Sequence, residues 1–411
     1  MINYFKALSI IFNNMNKHFQ IIKIKNNYLS ETLYQINSND IYSDKNIPSF
    51  NNSAMDGYAV KQEILTKNID KNQQITVVEK IKAGDNISTK KFDKNNAVAI
   101  MTGAKIPREF DTVIKLEDVK NSDNNYIIPI RHIKKGDNIR FIAEDFKKKD
   151  LLIKKCTRLD YNNIITLATC GIIKLNTLTA PNFFLISTGN EISDIKTNFN
   201  SECLIYNSSA PYLITLFKSM FFDLIYLGIS NDDIYIFLEK LRKMLVVTYI
   251  NVFITTGAIS KGIYDFIPNI LKKIGIKIIF HFVNIKPGKP ILFAMYKSHV
   301  FFFCLPGNII SSIVGFRFFI HPFIKHFFKQ DLEKPIKAKL FNDPIKKIKK
   351  DTFLKGYCYI NNSILKVKIL KNQESFKIKP LLNSNCFVFL KKNDIIRKNS
   401  LVSIYLYKPS Y

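Results

Sequence analysis

Three turns rich in glycine and small polar residues carry the clearest chemical signal in this chain. They read STGNE (187–191), TTGAISKG (255–262) and LPGNIISS (305–312), and each directly follows an apolar run. If these runs are strands of one parallel sheet, the turns share its carboxyl edge, where ligands and phosphates bind. Any αβ protein has several glycine turns, but three with Thr, Ser or Asn beside the glycine favour an anion site.

A loop with two lysines, NIKPGKP (284–290), lies between the second and third turns. Its two prolines restrict the backbone on either side of the central glycine. Lys286 and Lys289 are therefore held on a stiff loop, which lowers the entropy they lose on meeting an anion. An exposed turn in a lysine-rich protein explains these residues equally well.

Acidic residues also gather at turns of this segment: Glu191, Asp232-Asp233 and Asp265. Carboxylates beside a phosphate site are typical of Mg²⁺, which bridges two anions. Asp232 and Asp265 could equally cap the helices that follow them. Further upstream, IPSFNNSAMDGYAV (47–60) presents Asp56 as a lone acid among small and amide residues, which an ordinary Asp-Gly turn would also explain.

The elements that would position these residues alternate between strands and helices from about 180 to 325. Apolar strands such as INVFITT and amphipathic helices such as DIYIFLEKLRKML predict a parallel sheet covered on both faces. We therefore predict a multidomain α/β fold with four parts. They are an N-terminal helical and linker domain (1–46 and 141–178), a β module (47–140), the α/β domain (179–328) and a C-terminal β domain (329–411).

Composition limits the functional classes. The 411 residues carry a net charge of +28, but the lysines are spread along the whole chain and no nucleic-acid-reading motif is present, so we expect no nucleic-acid partner. The six cysteines form no C-x-x-C pair, which argues against disulfides and zinc. Apolar stretches are interrupted by charge or Pro-Gly, so we expect no membrane span and a cytoplasmic protein.

Eight motifs in order resemble the molybdopterin molybdenumtransferase family, which includes MoeA and the gephyrin E domain. They are PSFNNSAMDGYAV, IMTGAKIP, GDNIRFIAED, STGNEI, LGISNDD, TTGAISKGIYDF, IKPGKP and LPGNIISS. The resemblance implies an enzyme that takes adenylylated molybdopterin, releases AMP and inserts molybdate at the dithiolene with Mg²⁺. It also implies that 179–328 binds molybdopterin. The implied assembly is a homodimer, with the site between the β module of one chain and the α/β domain of the other.

The resemblance assigns roles to particular residues. Catalytic roles fall to Asp56, Thr102, Asp145, Glu191, Lys286 and Lys289. Substrate contacts fall to Gly189, Gly257, Ser260, Gly262, Pro306, Gly307 and Asn308, and metal binding to Asp232, Asp265 and Glu191. The apolar periodicity of residues 1–20 further suggests that the dimer forms through the N-terminal and β segments. The molybdopterin adenylyltransferase is a candidate partner.

The chain departs from the family pattern at several places. Ala258 and Ala143 stand where glycine is usual, Asn190 replaces an acid, and Phe282 stands where some members have lysine. IYNSS (205–209) differs from the common I-Y-D-S-N at Asn207 and Ser209. We expect Ala258 to have settled at negative φ, since alanine resists positive φ. Alternative functions are a molybdopterin adenylyltransferase and a non-catalytic or decayed scaffold.

Overall fold

The protein is described by a computed structural model. It covers residues 1–17, 22–69, 74–86, 91–122, 125–195, 203–245, 249–260, 265–341 and 348–407. Three six-stranded sheets dominate this part of the chain and confirm the multidomain α/β fold. Within the same ranges no helix is both long and apolar enough to cross a membrane. The predicted domain boundaries remain predictions.

The N-terminal half of the chain contains one six-stranded sheet and several two-stranded pairs. Its elements are α1 (Tyr4–Asn16), β1 (Ile24–Tyr28), β2 (Ile41–Tyr42), β3 (Asn52–Ser53), β4 (Gly57–Val60), α2 (Gln62–Ile69), β5 (Ile75–Ile81), β6 (Ala97–Ile100), β7 (Thr112–Lys115), β8 (Val119–Ser122), β9 (Tyr126–Pro129), β10 (Ile139–Arg140), β11 (Leu151–Ile153), α3 (Tyr161–Thr169) and β12 (Lys174–Leu178). The large sheet has the order β7-β4-β6-β5-β9-β8. Its strand β4 begins immediately after Asp56 and lies between β7 and β6.

Helix α1 is built into the core of its own chain. Asn3 caps it by accepting a hydrogen bond from the Lys6 N–H at 2.8 Å. Its apolar face, represented by Tyr4 and Ile11, is buried, and the Tyr4 ring packs edge-on against Phe319 at 5.5 Å. The apolar periodicity of the N-terminus is therefore satisfied within the chain and gives no support to a dimer surface there.

The second large sheet forms the α/β domain. Its elements are β13 (Asn182–Ser187), β14 (Ile192–Ser193), β15 (Ile205–Tyr206), α4 (Ser209–Ser219), β16 (Leu224–Ile229), α5 (Ile234–Leu245), β17 (Asn251–Thr256), α6 (Ile267–Lys273), β18 (Lys277–His281), β19 (Ile285–Lys286), β20 (Leu292–Tyr296), β21 (Val300–Leu305), α7 (Ile309–Gly315), a π-helical turn (Phe316–Ile320) and α8 (His321–Phe327). The sheet order is β16-β13-β17-β21-β20-β18. The first four strands are parallel, as predicted, whereas β20 and β18 add an antiparallel edge that the sequence pattern did not indicate.

The C-terminal part is a small closed barrel. Its elements are β22 (Ile336–Leu340), β23 (Asp351–Asn361), β24 (Ile364–Ile369), α9 (Lys379–Leu382), β25 (Cys386–Leu390) and β26 (Leu401–Leu406). The order β23-β24-β22-β26-β25 closes because β25 also pairs with β23. Strand β19 joins the start of β23 in parallel, so the barrel is attached directly to the loop that carries Lys286.

Candidate active site

The three glycine turns meet at the carboxyl edge of the parallel strands, as predicted. Gly257 has φ +98°, and a Cβ added there would lie 2.5 Å from the Thr188 carbonyl oxygen. A Cβ added at Gly307 would lie 3.7 Å from the Gly257 Cα. Backbone bonds join the same turns, since Thr188 N–H donates to Thr256 O and Gly257 N–H donates to Leu305 O, both at 2.9 Å. The turns after β13, β17 and β21 therefore form one surface.

Glu191 folds back over the first of these turns. Gly189 has φ +135°, and a Cβ there would lie 2.6 and 2.7 Å from the two carboxylate oxygens of Glu191. The side chain of Glu191 is exposed. The glycine therefore makes room for the acid, and a carboxylate lies at the carboxyl edge.

Asp232 reaches the same turn from the end of β16. The Asp232 N–H donates to the Asn190 Oδ1 at 3.0 Å, and the Asn190 N–H donates to the Asp232 Oδ2 at 3.4 Å. The helix cap is supplied instead by Asp233, whose Oδ1 accepts from the Tyr235 N–H at 2.7 Å. The structure thus separates the two acids: Asp233 caps α5, and Asp232 braces the Glu191 turn.

The third turn leads into α7. The Ser312 hydroxyl donates to the Pro306 carbonyl at 2.6 Å, and Asn308 occupies the N-cap position without a side-chain cap. The lysine loop lies against the same helix, since a Cβ at Gly288 would be 3.5 Å from the Ser311 carbonyl oxygen.

Both lysines of this loop are exposed. The Lys289 ammonium lies 6.0 Å from the centre of the Phe282 ring, and Phe282 adopts φ +72°. The ring of Phe282 stacks on His281 at 3.8 Å. Phe282 therefore lies beside the lysine loop, next to Lys289.

In the β module, Thr102 orients the side chain of Asp56. Its Oδ1 accepts from the Thr102 N–H at 2.7 Å and from the Thr102 hydroxyl at 2.9 Å. The N–H and then the hydroxyl of Thr102 lower the pKa of the exposed Asp56 carboxyl. The structure thus brings two of the predicted catalytic residues together. Thr102 orients the Asp56 carboxylate and favours its ionised form.

Glycine at position 57 is required by the sheet itself. A Cβ there would lie 1.9 Å from the Ile114 carbonyl oxygen on strand β7. Nearby, the backbone of the 143–146 turn is tied to the segment that precedes Asp56, because Ala143 N–H donates to Pro48 O and Asp145 N–H donates to Ile47 O, each at 3.0 Å. The exposed Asp145 is therefore tied through its backbone to the segment that leads into Asp56.

Comparison with known proteins assigns the family. Residues 2–171 match the model of the MoeA N-terminal region (domain I and II), and residues 184–326 match that of a "Probable molybdopterin binding domain". A molybdopterin molybdenumtransferase of Haemophilus influenzae is 32% identical over 371 residues, which cover 89% of each chain. That of Synechococcus elongatus is 32% identical over 298 residues, 72% of this chain and 73% of the relative.

This chain belongs to the molybdopterin molybdenumtransferase family. A crystal structure of a molybdopterin biosynthesis MoeA protein from Pyrococcus horikoshii OT3 is similar over 99% of this chain and 100% of that one, with 26% identity and a TM-score of 0.78. The match extends over the barrel as well as over the two regions covered by the family models.

One expectation, drawn from the backbone preference of alanine, is wrong. Ala258, where the molybdopterin molybdenumtransferases usually have glycine, has φ +50° and not a negative value. The turn is constrained on both sides, because Gly257 lies against Thr188 and Ile259 is buried in the core. The Ala258 carbonyl also accepts from the Ile267 N–H at 3.3 Å. Packing therefore imposes the left-handed backbone on alanine, which tolerates it poorly.

The remaining predicted residues of this turn are described in part. Ser260 is exposed, Asp265 is half-buried, and Gly262 lies outside the described residues. Phe266, not Asp265, occupies the N-cap position of α6.

Sequence reasoning missed a buried polar network beneath the Glu191 turn. The Asn207 Nδ2 donates to the Ser187 hydroxyl at 3.0 Å and to the Tyr226 hydroxyl at 2.9 Å, and Tyr226 donates to the Asp194 Oδ1 at 2.7 Å. Burial and then the Asp194 hydrogen bond raise the pKa of Tyr226. The departure of Asn207 from the family's common motif was the available signal, but it was not connected to Asp194.

Of the three predicted metal residues, Glu191 and Asp232 lie at this edge. Within the described ranges no three His, Cys, Asp or Glu side chains converge as a protein-only metal centre. The exposed oxygen donors of Glu191 and the half-buried Asp232 still fit Mg²⁺, which takes one or two carboxylates together with substrate phosphates and water. The donor set is therefore compatible with a metal shared between protein and substrate.

Proposed function

We propose that this chain inserts molybdate into adenylylated molybdopterin and releases AMP. As a family member, the chain is a transferase of molybdenum cofactor biosynthesis that acts by molybdenum insertion. The adenylylated substrate, Mg²⁺ and the homodimer are the finer parts of the proposal. The observation that carries it is the meeting of Thr188, Gly257 and Gly307 at one strand edge, with Glu191, Asp232 and the lysine loop around it.

The charges at this edge suit the proposed substrates. Lys286 and Lys289 are exposed ammonium groups on a loop packed beside α7, where they can contact the diphosphate of the substrate or the oxygens of molybdate. Lysine binds such anions as a compact point charge. Removal of either ammonium should weaken anion binding more at low salt than at high salt.

The Asp56–Thr102 pair supports a second half of the site. The pair belongs to the β module, and the hydrogen bonds described for the Asp56 side chain all come from Thr102 of the same module. In the proposed homodimer the carboxylate faces the strand edge of the partner protomer. Light scattering that finds a monomer at micromolar concentration would contradict this arrangement.

Mg²⁺ is proposed to bind at Glu191 and Asp232, with Asp265 as a further candidate ligand. When bound, the ion neutralises phosphate charge and stabilises the leaving adenylate. The chain's own contribution is to orient the carboxylates: Asn190 holds Asp232, and the glycine at 189 makes room for Glu191.

The decisive experiment measures AMP release from adenylylated molybdopterin, with and without molybdate and Mg²⁺. Release that depends on both supports the insertase. An adenylyltransferase would instead consume ATP and accumulate adenylylated molybdopterin, and a scaffold would bind without releasing AMP. The β module and barrel on either side of the α/β domain favour the insertase over the adenylyltransferase.

Two further expectations accompany this function. We propose a cytoplasmic location, in keeping with membership of a biosynthetic enzyme family. Any nucleic-acid binding should be weak and lost at modest salt, because the lysines are diffuse.

A further inference from the structure

The buried network at Asn207 connects the ends of two neighbouring strands. Asn207 is 4% exposed and donates to the hydroxyl of Ser187, the last residue of β13. The hydroxyl of Thr256, the last residue of β17, donates to the same Ser187 oxygen at 3.3 Å. Thr188 and Gly257, which form the meeting point of the turns, follow directly in sequence.

The same residue also anchors the Glu191 turn from below. The Asn207 N–H donates to the Ser193 carbonyl at 2.8 Å, and the Ile205 N–H donates to the Glu191 carbonyl at 2.7 Å. These bonds belong to the short parallel pair β14–β15. The position of the Glu191 backbone therefore depends on how Asn207 is held.

Asp194 supplies the charge of the network. Its Oδ1 accepts from Tyr226 at 2.7 Å and lies 3.5 Å from the Asn207 Nδ2. The two amide hydrogens of Asn207 are directed at Ser187 and Tyr226, with Asp194 a more distant acceptor, while its own Oδ1 accepts from the Ala210 N–H at 3.3 Å. A carboxylate at position 207 could keep that last bond but could donate none of the others.

We propose that Asn207 and Asp194 are a positioning pair that holds the Glu191 turn in its working place, and that the pair must carry a single negative charge. The inference rests on the proposed function, because Glu191 is placed there at the site of AMP release. Neither residue is proposed to touch the substrate. Their effect reaches the reaction through the backbone of residues 188–193.

The charge requirement follows from the surroundings of Asp194. Among the described contacts, Tyr226 of β16 and Asn207 before α4 face it as neutral donors, and Lys240 of α5 is a cation that attracts it. The Lys240 ammonium is itself bound to the carbonyls of Leu227 and Ile229 at 2.6 and 2.8 Å. A second carboxylate at position 207 would therefore meet a like charge at short range in a half-buried place, which raises the pKa of one of the two acids.

The test is a charge-swap cycle in the full-length protein. Asn207→Asp should lower kcat for molybdate-dependent AMP release about tenfold at pH 8. The deficit should shrink as the pH falls toward about 6, because one proton on the pair restores the single charge. Asp194→Asn alone should also lose activity, whereas the double variant Asn207→Asp/Asp194→Asn should return to within about threefold of wild type.

Asn362→Asp is the matched control. It makes the same substitution in the exposed hairpin turn between β23 and β24, at the end of β23 remote from Lys286, and should leave kcat unchanged. Should Asn207→Asp fail to fold, Tyr226→Phe removes only the hydroxyl that bridges the pair and should still lower kcat. Wild-type kcat in Tyr226→Phe would overturn the proposal.

Two other outcomes would overturn the proposal that Asn207 and Asp194 act as a positioning pair. One is a double variant no more active than the poorer single variant, and the other is an Asn207→Asp deficit that is equal at every pH. Failure of the proposed function is distinguishable, because the wild type itself would then release no AMP. In that case the melting temperatures of the wild type, the two single variants and the double variant still show whether the double substitution restores the stability that each single substitution removes.

Discussion

The β module and the strand edge of the α/β domain hold their functional groups in different ways. In the β module, Asp56 is exposed and its carboxylate is oriented by the N–H and hydroxyl of Thr102. At the strand edge, the turns touch backbone to backbone, with the Thr188 carbonyl occupying the space beside Gly257. The β module thus orients its acid through the partner residue Thr102. The strand edge instead keeps its shape because glycine has no side chain to fill the space beside Thr188.

This difference predicts which substitutions each region tolerates. A change at Asp56 or Thr102 removes a charge or a hydrogen bond but displaces no backbone, so folding should survive while the activity or its pH dependence changes. A methyl group at the strand edge must move a strand end, so folding and activity should be lost together. Substitutions that change stability without activity, or activity without stability, separate the two regions.

Gly257→Ala should have the largest effect. The new Cβ would lie 2.5 Å from the Thr188 oxygen at a φ of +98°, so we expect a loss of about 3 kcal/mol or more in unfolding free energy, together with the activity. Urea melts and AMP release measure the two quantities. Gly275→Ala has a similar φ of +78° but nothing within 4 Å, so it should cost only about 1 kcal/mol. Equal losses in the two variants would show that the contact with Thr188 is unimportant.

Asp56→Ala should have the opposite pattern, with activity lost and stability kept. We expect at least about a 100-fold loss of molybdate-dependent AMP release, with an unchanged melt, because the acid is exposed and its removal displaces no packing. Asp93→Ala removes another exposed acid of the β module and should behave as wild type. An Asp56→Ala protein with normal turnover would remove Asp56 from the site.

Thr102→Val should move the pH dependence with a smaller loss of rate. The pKa of Asp56 is lowered by the Thr102 N–H and hydroxyl, and valine retains only the N–H. The pKa therefore rises toward its ordinary value, and the acidic limb of the pH–rate profile shifts to higher pH. Activity should fall by about threefold near that limb and be unchanged well above it. Thr102→Ser keeps the hydroxyl, and a shift as large as that of valine would contradict this explanation.

Ala258→Gly should have the smallest effect and the opposite sign. Relief of the positive φ outweighs the added backbone freedom, so we expect a gain of about 0.5–1 kcal/mol in thermal melts. Ala143→Gly, at φ +63° in the turn before Asp145, should gain similarly. Ala168→Gly in the exposed face of α3 is the reference and should lose about 1 kcal/mol. A loss at Ala258 would show that its turn is not strained.

Residue types and their spacing were enough to predict the strands and the turns that end them. Apolar runs of six residues followed by glycine indicated β13, β17 and β21, and the parallel strand–helix alternation implied that their turns would meet. These signals are local, because each depends on residue type and spacing within about ten positions. The family motifs added Asp56 and Thr102, which lie far apart in sequence and share no local pattern.

The groups that these elements meet depend on the packing of the whole fold. This packing placed the apolar face of α1 inside its own chain, added the antiparallel strands β18 and β20, and gave Asp233 and not Asp232 the helix cap. It also imposed positive φ on Ala258 and joined Asn207 to Asp194. Each outcome depends on contacts between segments distant in the chain, and packing free energies of several kcal/mol outweigh the local preference of about 1–2 kcal/mol that alanine has against such a backbone.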